Sequence, residues 1–191
     1  KNITIKINEG DLVAIIGPSG AGKSTLFKTL MGINYIVDGE IIIMDGETRL
    51  KYDSDNNDEI KKYSSQFAYV SQQEVFIKEL SVFENIYYYY SLYASTNKID
   101  KVNFTKKVDS LLKKLGIYAQ KNRAVYKNGK YTLSGGQRKK LNIALELIKN
   151  PNVIFMDEPT SGLSSQESVE LIEFLRVLSK DRIIFTIIHQ P

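Results

Sequence analysis

The chain has 191 residues, 42% of them hydrophobic, and its 26 lysines and arginines against 22 acidic residues give a formal charge of +4. This length fits one well-buried domain and is too short for two independent ones. Cysteine is absent, which excludes disulfide frameworks, thiolate nucleophiles and cysteine-based zinc sites. The longest apolar runs, such as Ile183–Ile188, fall far short of the about 18 residues that a membrane helix needs. The basic residues are spread among acidic ones, so we expect no nucleic-acid partner.

The beginning of the chain predicts two strands and a helix. Apolar runs at residues 3–7 and Leu12–Ile16 flank a turn at residues 9–11, and both are predicted to be strands. Residues 24–31 predict a helix that ends at Gly32, because glycine adopts the left-handed conformation that closes many helices.

A small antiparallel region is expected near residues 36–70. Residues 39–44 predict a strand that turns at Asp45 and Gly46, and Phe67–Val70 predict a further strand. The polar stretch at residues 51–59 lies between them and is predicted to be a surface loop.

The remaining pattern alternates helices and buried strands. Residues 80–116 have helical periodicity, and we expect a helical subdomain over residues 80–131. After residue 134 the pattern predicts a helix that stops before Pro151, a short buried strand at residues 153–156, a helix at residues 167–178 and a strand at Ile183–Ile188. This alternation predicts an α/β fold with a mostly parallel sheet covered on both faces and ligands at the carboxyl ends of its strands.

A glycine-rich turn between the second strand and the first helix is the candidate phosphate-binding site. Such a loop presents successive backbone N–H groups to phosphates, Lys23 can reach the outer phosphates, and the Ser24 hydroxyl can ligate magnesium. A plain turn would not require a lysine and two hydroxyls directly after its last glycine. The predicted nucleotide-binding residues of this loop are Gly17, Pro18, Ser19, Gly20, Ala21, Gly22, Lys23, Ser24 and Thr25.

Two acids follow the buried strand at residues 153–156. A carboxylate pair at the end of such a strand lies at the phosphate edge of the sheet. Asp157 suits magnesium, directly or through water, and Glu158 is then placed to orient or deprotonate an attacking water. The plainer alternative is that both acids only cap the strand exit near Pro159.

A second glycine motif opens the helix that runs to Asn150. Ser134 and the glycine N–H groups lie at a helix N-terminus, which favours anions, although alone they would indicate only a cap. Because Lys23 already serves one nucleotide, a second phosphate-reading end would make sense if it reads the nucleotide of another copy. The candidate residues are Ser134, Gly135, Gly136 and Gln137.

Taken in order, these motifs resemble the nucleotide-binding domain of ATP-binding-cassette (ABC) transporters over nearly the whole chain. That family has a phosphate loop, a glutamine loop, a signature motif, an acidic strand, a D-loop and a switch histidine. The matching positions are residues 17–25, Gln72, residues 133–137, residues 153–158, residues 161–164 and His189.

The resemblance implies partners and roles. Two such domains enclose two ATP molecules with Mg²⁺, and the signature of one domain closes on the nucleotide of the other. By this likeness Gln72 contacts the metal and the water and senses a transmembrane permease domain, fused or separate. Glu158 is the catalytic base, Lys23 acts on the phosphates, and His189 holds the γ-phosphate and water. The site would lie at the cytoplasmic face of the plasma membrane.

Finer likeness favours the G, or White-type, subfamily and its bacterial relatives, on residues 134–140, 157–163 and 189–191. Most of those proteins are exporters, so export is expected. Ser164 stands where the D-loop usually carries aspartate, which implies altered coupling between sites. The adenine-stacking aromatic of the family lies upstream, and we expect the sequence to be trimmed at both ends. The alternative is a soluble ABC ATPase that acts on DNA or ribosomes.

Overall fold

The computed structural model describes residues 3–56, 60, 63, 66–94 and 100–188. The described residues include 3₁₀ turns at Tyr118–Gln120 and Ser179–Asp181. In chain order the helices and strands are β1 (Leu12–Ile16), α1 (Lys23–Leu30), β2 (Ile41–Asp45), β3 (Thr48–Tyr52), β4 (Phe67–Val70), α2 (Val82–Tyr93), α3 (Lys101–Lys114), β5 (Tyr126–Lys127), β6 (Lys130–Tyr131), α4 (Gly135–Leu147), β7 (Val153–Asp157), α5 (Ser165–Leu178) and β8 (Ile183–Ile188).

A four-stranded sheet in the order β1-β8-β7-β4 forms the centre of the fold, and every neighbouring pair in it is parallel. Its two faces are covered by different helices, as the sequence predicts. Phe27 of α1 packs edge-on against Phe155 of β7 at 5.2 Å between ring centroids. The opposite face, with Ile154, Met156 and Ile184, joins the core formed with α4 and α5. Because successive strand residues point to opposite faces, β7 supplies both cores.

Residues 80–131 contain α2, α3, a 3₁₀ turn and the β5-β6 hairpin. Helix α3 buries Phe104, Val108 and Leu112 at helical spacing, and Gly116 follows with φ +69°. Helix α4 buries the face that periodicity predicts, with Leu141 and Ala144 fully covered. No helix in the described part of the chain is both long and apolar enough to cross a membrane.

Three sequence expectations in the first part of the chain are wrong. Residues 3–7 form no strand: Ile3 and Ile5 are each 64% exposed, and β1 is an edge strand with β8 as its partner. Lys51 and Tyr52 belong to β3 rather than to a surface loop, because Tyr52 is buried in a small separate core. Strand β4 joins the parallel sheet beside β7, so the expected antiparallel region is confirmed at β2 and β3 but does not extend to residue 70. Residues 57–59 of the expected loop lie outside the described residues.

Candidate nucleotide site at the carboxyl edge of the sheet

The carboxyl ends of the four parallel strands meet at one edge, and each is followed by a predicted site residue. The register aligns Ile16 with Ile188, Asp157 with Ile187, and Val70 with Met156. The phosphate loop after β1, the two acids at the end of β7 and Gln72 after β4 therefore lie along the same edge. His189 directly follows β8 but lies outside the described residues, so its role stays a prediction.

The phosphate loop turns sharply between β1 and α1. Gly20 and Gly22 have φ of +78° and +89°, values that side-chain-bearing residues rarely adopt. A Cβ at either position would meet nothing within 4 Å, so their surroundings are open. The Lys23 side chain is buried, and its Nζ donates to the carbonyl oxygens of Gly17 at 2.7 Å and Pro18 at 2.8 Å. The loop itself thus holds the ammonium group against its own backbone.

Asp157 is the point at which three elements converge. Its Oδ2 accepts hydrogen bonds from Ser24 Oγ of α1 and from the Tyr69 hydroxyl of β4, each at 3.2 Å. Burial, together with the charge of Asp157 and this hydrogen bond, raises the pKa of Tyr69 to about 12. Tyr69 therefore stays a hydrogen-bond donor at physiological pH. Sequence reasoning missed this residue, because its role depends on β4 lying beside β7, where Tyr69 pairs with Phe155 in the register.

Glu158 has a left-handed backbone with φ +49°, which is unusual for a residue with a side chain. Its N–H donates to the Ile187 carbonyl at 3.2 Å and its carbonyl accepts from Ser161 N at 3.1 Å. This tight turn directs the carboxylate toward the glutamine loop, where Gln72 Nε2 donates to Glu158 Oε2 at 3.0 Å. The structure thus brings the predicted base and the predicted sensor into direct contact.

The oxygen donors fit a magnesium ion. Two neighbouring ligands of an octahedral Mg²⁺ lie about 3 Å apart, which matches the 3.2 Å between Ser24 Oγ and Asp157 Oδ2. The described residues hold no cluster of three acidic, histidine or cysteine side chains that could ligate a metal by themselves. Magnesium usually binds through one or two protein groups together with substrate phosphates, so this sparse donor set suits a nucleotide-bound ion.

The signature residues lie at the start of α4 and form a complete cap. Ser134 Oγ accepts from Gln137 N at 3.2 Å, and Gln137 Oε1 accepts from Ser134 N at 3.1 Å. A Cβ on Gly135 would lie 3.8 Å from the Gly162 carbonyl oxygen in the D-loop. Within the described residues no hydrogen bond joins Ser134 or Gln137 to the phosphate loop. The Gly135 contact therefore brings the signature beside the D-loop of its own chain.

A buried cation lies behind the acids, and sequence reasoning also missed it. Lys139 of α4 is only 7% exposed. Burial lowers its pKa, while the negative charges of Asp157, Glu158 and Glu74 act in the opposite direction. The Lys139 side chain therefore lies close enough to these carboxylates for their charges to act on its pKa.

A parallel sheet, a strand, phosphate loop and helix unit, and adjacent acidic residues define the chain as a phosphate-loop nucleotide hydrolase. A sequence model described as "ABC transporter" matches residues 1–161. The chain belongs to the ABC transporter family.

The curated relatives include transporters from fungi, plants and bacteria. The chain is 37% identical over 97% of its length to the ABC-type transporter claG of Penicillium crustosum, and 32% identical over 94% to ABC transporter G family member 13 of Arabidopsis thaliana. It is also 33% identical over 98% of its length to a putative ABC transporter ATP-binding protein of Bacillus cereus. The chain spans only 24%, 25% and 31% of the lengths of these three proteins.

Solved structures agree with this assignment. The fold matches cbiO1 of Clostridium perfringens, part of the ABC transporter complex cbiONQ, with a TM-score of 0.78 and 28% identity, covering 100% of this chain and 71% of the other. It also matches the ATP-binding cassette MJ0796, solved as a dimer with ADP and phosphate, with a TM-score of 0.77 and 27% identity, covering 100% of this chain and 79% of the other. The domain is thus an ABC ATPase, and these relatives support ATP hydrolysis as its activity.

Proposed function

We propose that this domain binds ATP with Mg²⁺, hydrolyses it in a sandwich with a second ABC ATPase domain, and thereby drives export through a transmembrane permease domain. The domain would work at the cytoplasmic face of the plasma membrane. The observation that carries the proposal is the assembly at one sheet edge of two contacts, Ser24 with Asp157 at 3.2 Å and Gln72 with Glu158 at 3.0 Å. The first contact joins two predicted metal ligands, and the second joins the predicted base to the predicted sensor.

In the proposed reaction the phosphate-loop amides and Lys23 bind the phosphate chain of ATP. Bound magnesium would neutralise charge on the phosphate oxygens, and Ser24, Asp157 and Gln72 would hold it. Glu158 accepts a proton from the attacking water, whose oxygen forms a bond to the γ-phosphorus as the bond to the bridging oxygen breaks. The products are ADP and phosphate, and His189 would hold the γ-phosphate and water during this step.

The second domain would bring its signature residues to the nucleotide that this chain holds. Residues 134–137 cap α4 at a helix N-terminus, which carries partial positive charge and suits an anion. Since the side-chain hydrogen bonds of Ser134 and Gln137 among the described residues stay within the cap, we propose that residues 134–137 bind the γ-phosphate held by the phosphate loop of the second domain. The dimer described for MJ0796 supports this arrangement.

Export is proposed because the sequence resembles the G subfamily, and G family members stand among its relatives. The same relatives favour a transporter over a soluble ATPase that acts on DNA or ribosomes. The complete protein can be extracted from its host in mild detergent, and the co-purifying proteins identified by mass spectrometry. We expect recovery from membranes with an attached or separate polytopic segment. Recovery in the soluble fraction with ribosomes or DNA-repair proteins would contradict the transporter role.

The role of Glu158 is tested by Glu158→Gln. We expect ATP binding to persist and turnover to fall by at least about 100-fold, because the cradle and metal ligands stay while the proton acceptor is lost. Glu170→Gln, the same chemical change on the exposed side of α5, is the matched control and should leave turnover unchanged. Unaltered hydrolysis by the Glu158 variant would remove this residue from the role of base.

The role of the signature is tested by Ser134→Arg. Its matched control is Ser81→Arg, because Ser81 makes the same type of cap at the start of α2. Both variants lose a cap worth about 1 kcal/mol, but only the first places a cation in the proposed phosphate site. We expect normal ATP binding in both and ATP-dependent dimerisation only in the control, measured by analytical ultracentrifugation on the Glu158→Gln background. Dimerisation of the Ser134 variant would refute the role of the signature.

A further inference from the structure

Two buried asparagines brace the segment that leads from β4 to α2. Asn142 of α4 is 2% exposed and Asn85 of α2 is 4% exposed. Asn85 holds the second half of the segment by hydrogen bonds. Its Oδ1 accepts from Ile77 N, and its Nδ2 donates to the carbonyl oxygens of Ile77, Leu80 and Ser81. Asn142 forms hydrogen bonds with the backbone of the first half, the glutamine loop at residues 71–75. The two side chains are therefore similar in chemistry and burial but act on different parts of one connection.

Asn142 holds the backbone on both sides of Gln72. Its Oδ1 accepts from Val75 N at 3.0 Å, and its Nδ2 donates to the carbonyl oxygens of Gln73 at 2.8 Å and Ser71 at 3.4 Å. On α4 it stands between Leu141 and Ile143, which are both fully buried. A buried amide is costly unless its hydrogen bonds are made, and here the glutamine loop makes them.

An ion pair one helical turn earlier strengthens the same attachment. Arg138 Nε lies 2.6 Å from Glu74 Oε1. The guanidinium group is itself fixed, because it donates to the Leu133 carbonyl at 3.2 Å and stacks 4.1 Å above the Tyr131 ring. Arg138 follows the signature motif directly, so the loop is joined to α4 at two successive turns.

Gln72 lies between these anchored residues, and its side chain reaches Glu158 at 3.0 Å. A shift of the helix that carries Ser134 would therefore move the backbone of residues 71–75 with it and change the distance between Gln72 and Glu158. We propose that Asn142, supported by Arg138, is a positioning residue. It makes the distance between the Gln72 and Glu158 side chains depend on the position of α4, the signature helix, which begins at the signature motif. This inference rests on the proposed roles of Gln72 and Glu158.

The test compares Asn142→Ala with Asn85→Ala in the complete protein, each alone and combined with Gln72→Ala. Hydrogen exchange of the nucleotide-free protein provides a readout that does not depend on activity. We expect Asn142→Ala to remove protection of the Val75 amide. In steady-state assays it should lower kcat about tenfold, as loss of a buried hydrogen-bond set would, with the KM for ATP unchanged because the phosphate loop is untouched.

The double variants separate positioning from general loosening. On the Gln72→Ala background, Asn142→Ala should lower kcat by less than about twofold, because the residue that it positions is already gone. Asn85→Ala should change kcat by the same factor on both backgrounds. Equal factors for Asn142→Ala on both backgrounds would overturn the inference. If Gln72→Ala and Glu158→Gln themselves leave kcat unchanged, the proposed function fails instead.

A milder variant covers the case in which Asn142→Ala does not fold. Glu74→Gln removes the charge of a partly exposed ion pair and leaves the core intact. We expect kcat to fall about two- to threefold at constant KM, and the decrease to disappear on the Gln72→Ala background. Unchanged kcat, or a decrease that persists without Gln72, would contradict the attachment as a positioning device.

Discussion

Replacing Gly136 by alanine tests how tightly the signature helix packs on the start of α5. Gly136 is buried at the second position of α4. A Cβ there would lie 2.2 Å from Glu167 Oε1 and 2.8 Å from Glu167 Cδ. Neither distance is tolerable, so the carboxylate has to rotate away. Its Oε2 accepts from Ser164 N at 3.0 Å and from Ser164 Oγ at 2.9 Å, and both bonds would be lost.

The expected free energies follow from these contacts. Loss of the carboxylate half of the α5 cap costs about 1 kcal/mol. Alanine is preferred to glycine in helices by up to about 1 kcal/mol, so the two terms nearly cancel in Gly136→Ala. On a Glu167→Ala background the methyl group meets no carboxylate and only the favourable term remains. The two substitutions should therefore be coupled by about 1 kcal/mol.

Urea unfolding of the parent, the two single variants and the double variant measures this coupling. We expect Gly136→Ala to change the free energy of unfolding little in the parent and to raise it by about 0.5–1 kcal/mol on the Glu167→Ala background. The same change on both backgrounds would mean that Gly136 and Glu167 do not meet, and it would refute the packing of the signature helix on α5.

Two further predictions concern the fold. Gly32→Ala should lower the free energy of unfolding by about 2–4 kcal/mol, because Gly32 has φ +72° and its Cβ would lie 2.0 Å from Ile60 Cγ2. Gly10→Ala, with φ +98° and open surroundings, should cost only about 1 kcal/mol in the same urea titration, and equal losses would count against the contact. Hydrogen bonds from Ser81 lower the pKa of Glu84 below its ordinary 4.5, so its stabilisation is present above pH 4.5 and is lost as pH falls through the lowered value. Stability should therefore decline less between pH 5 and 3 in Glu84→Gln than in the parent, and parallel declines in thermal melts would contradict this.

The parts of the fold that sequence reasoning predicted are those in which local pattern and tertiary packing agree. Five of the six residues of Ile183–Ile188 are apolar, because this strand lies inside the sheet with helices on both faces. The phosphate loop could be predicted because its glycines and Lys23 shape the loop through contacts between residues close in sequence. Strand β3 was missed because Lys51 opens a polar stretch that suggests a loop, although Leu50 and Tyr52 on either side of Lys51 pack inward as in a half-buried strand.

The links within the site could not be predicted in this way. Asn142 and Val75 are 67 positions apart, and no local period connects a polar residue in an apolar helix face to a loop so distant in sequence. Tyr69 belongs to a short apolar strand, and its role appears only when β4 lies beside β7. Such contacts depend on strand order, which periodicity does not determine.

The left-handed turn at Glu158 has an evolutionary consequence. Glycine adopts φ +49° without strain, whereas a side chain there costs about 1 kcal/mol. The mutation that would most relax this turn would therefore remove the carboxylate that we assign to catalysis. Drift toward higher stability opposes function at this position, and only selection for turnover can maintain the acid. Engineering that ranks substitutions by stability alone would choose glycine here, and we expect the resulting domain to be more stable but unable to hydrolyse ATP.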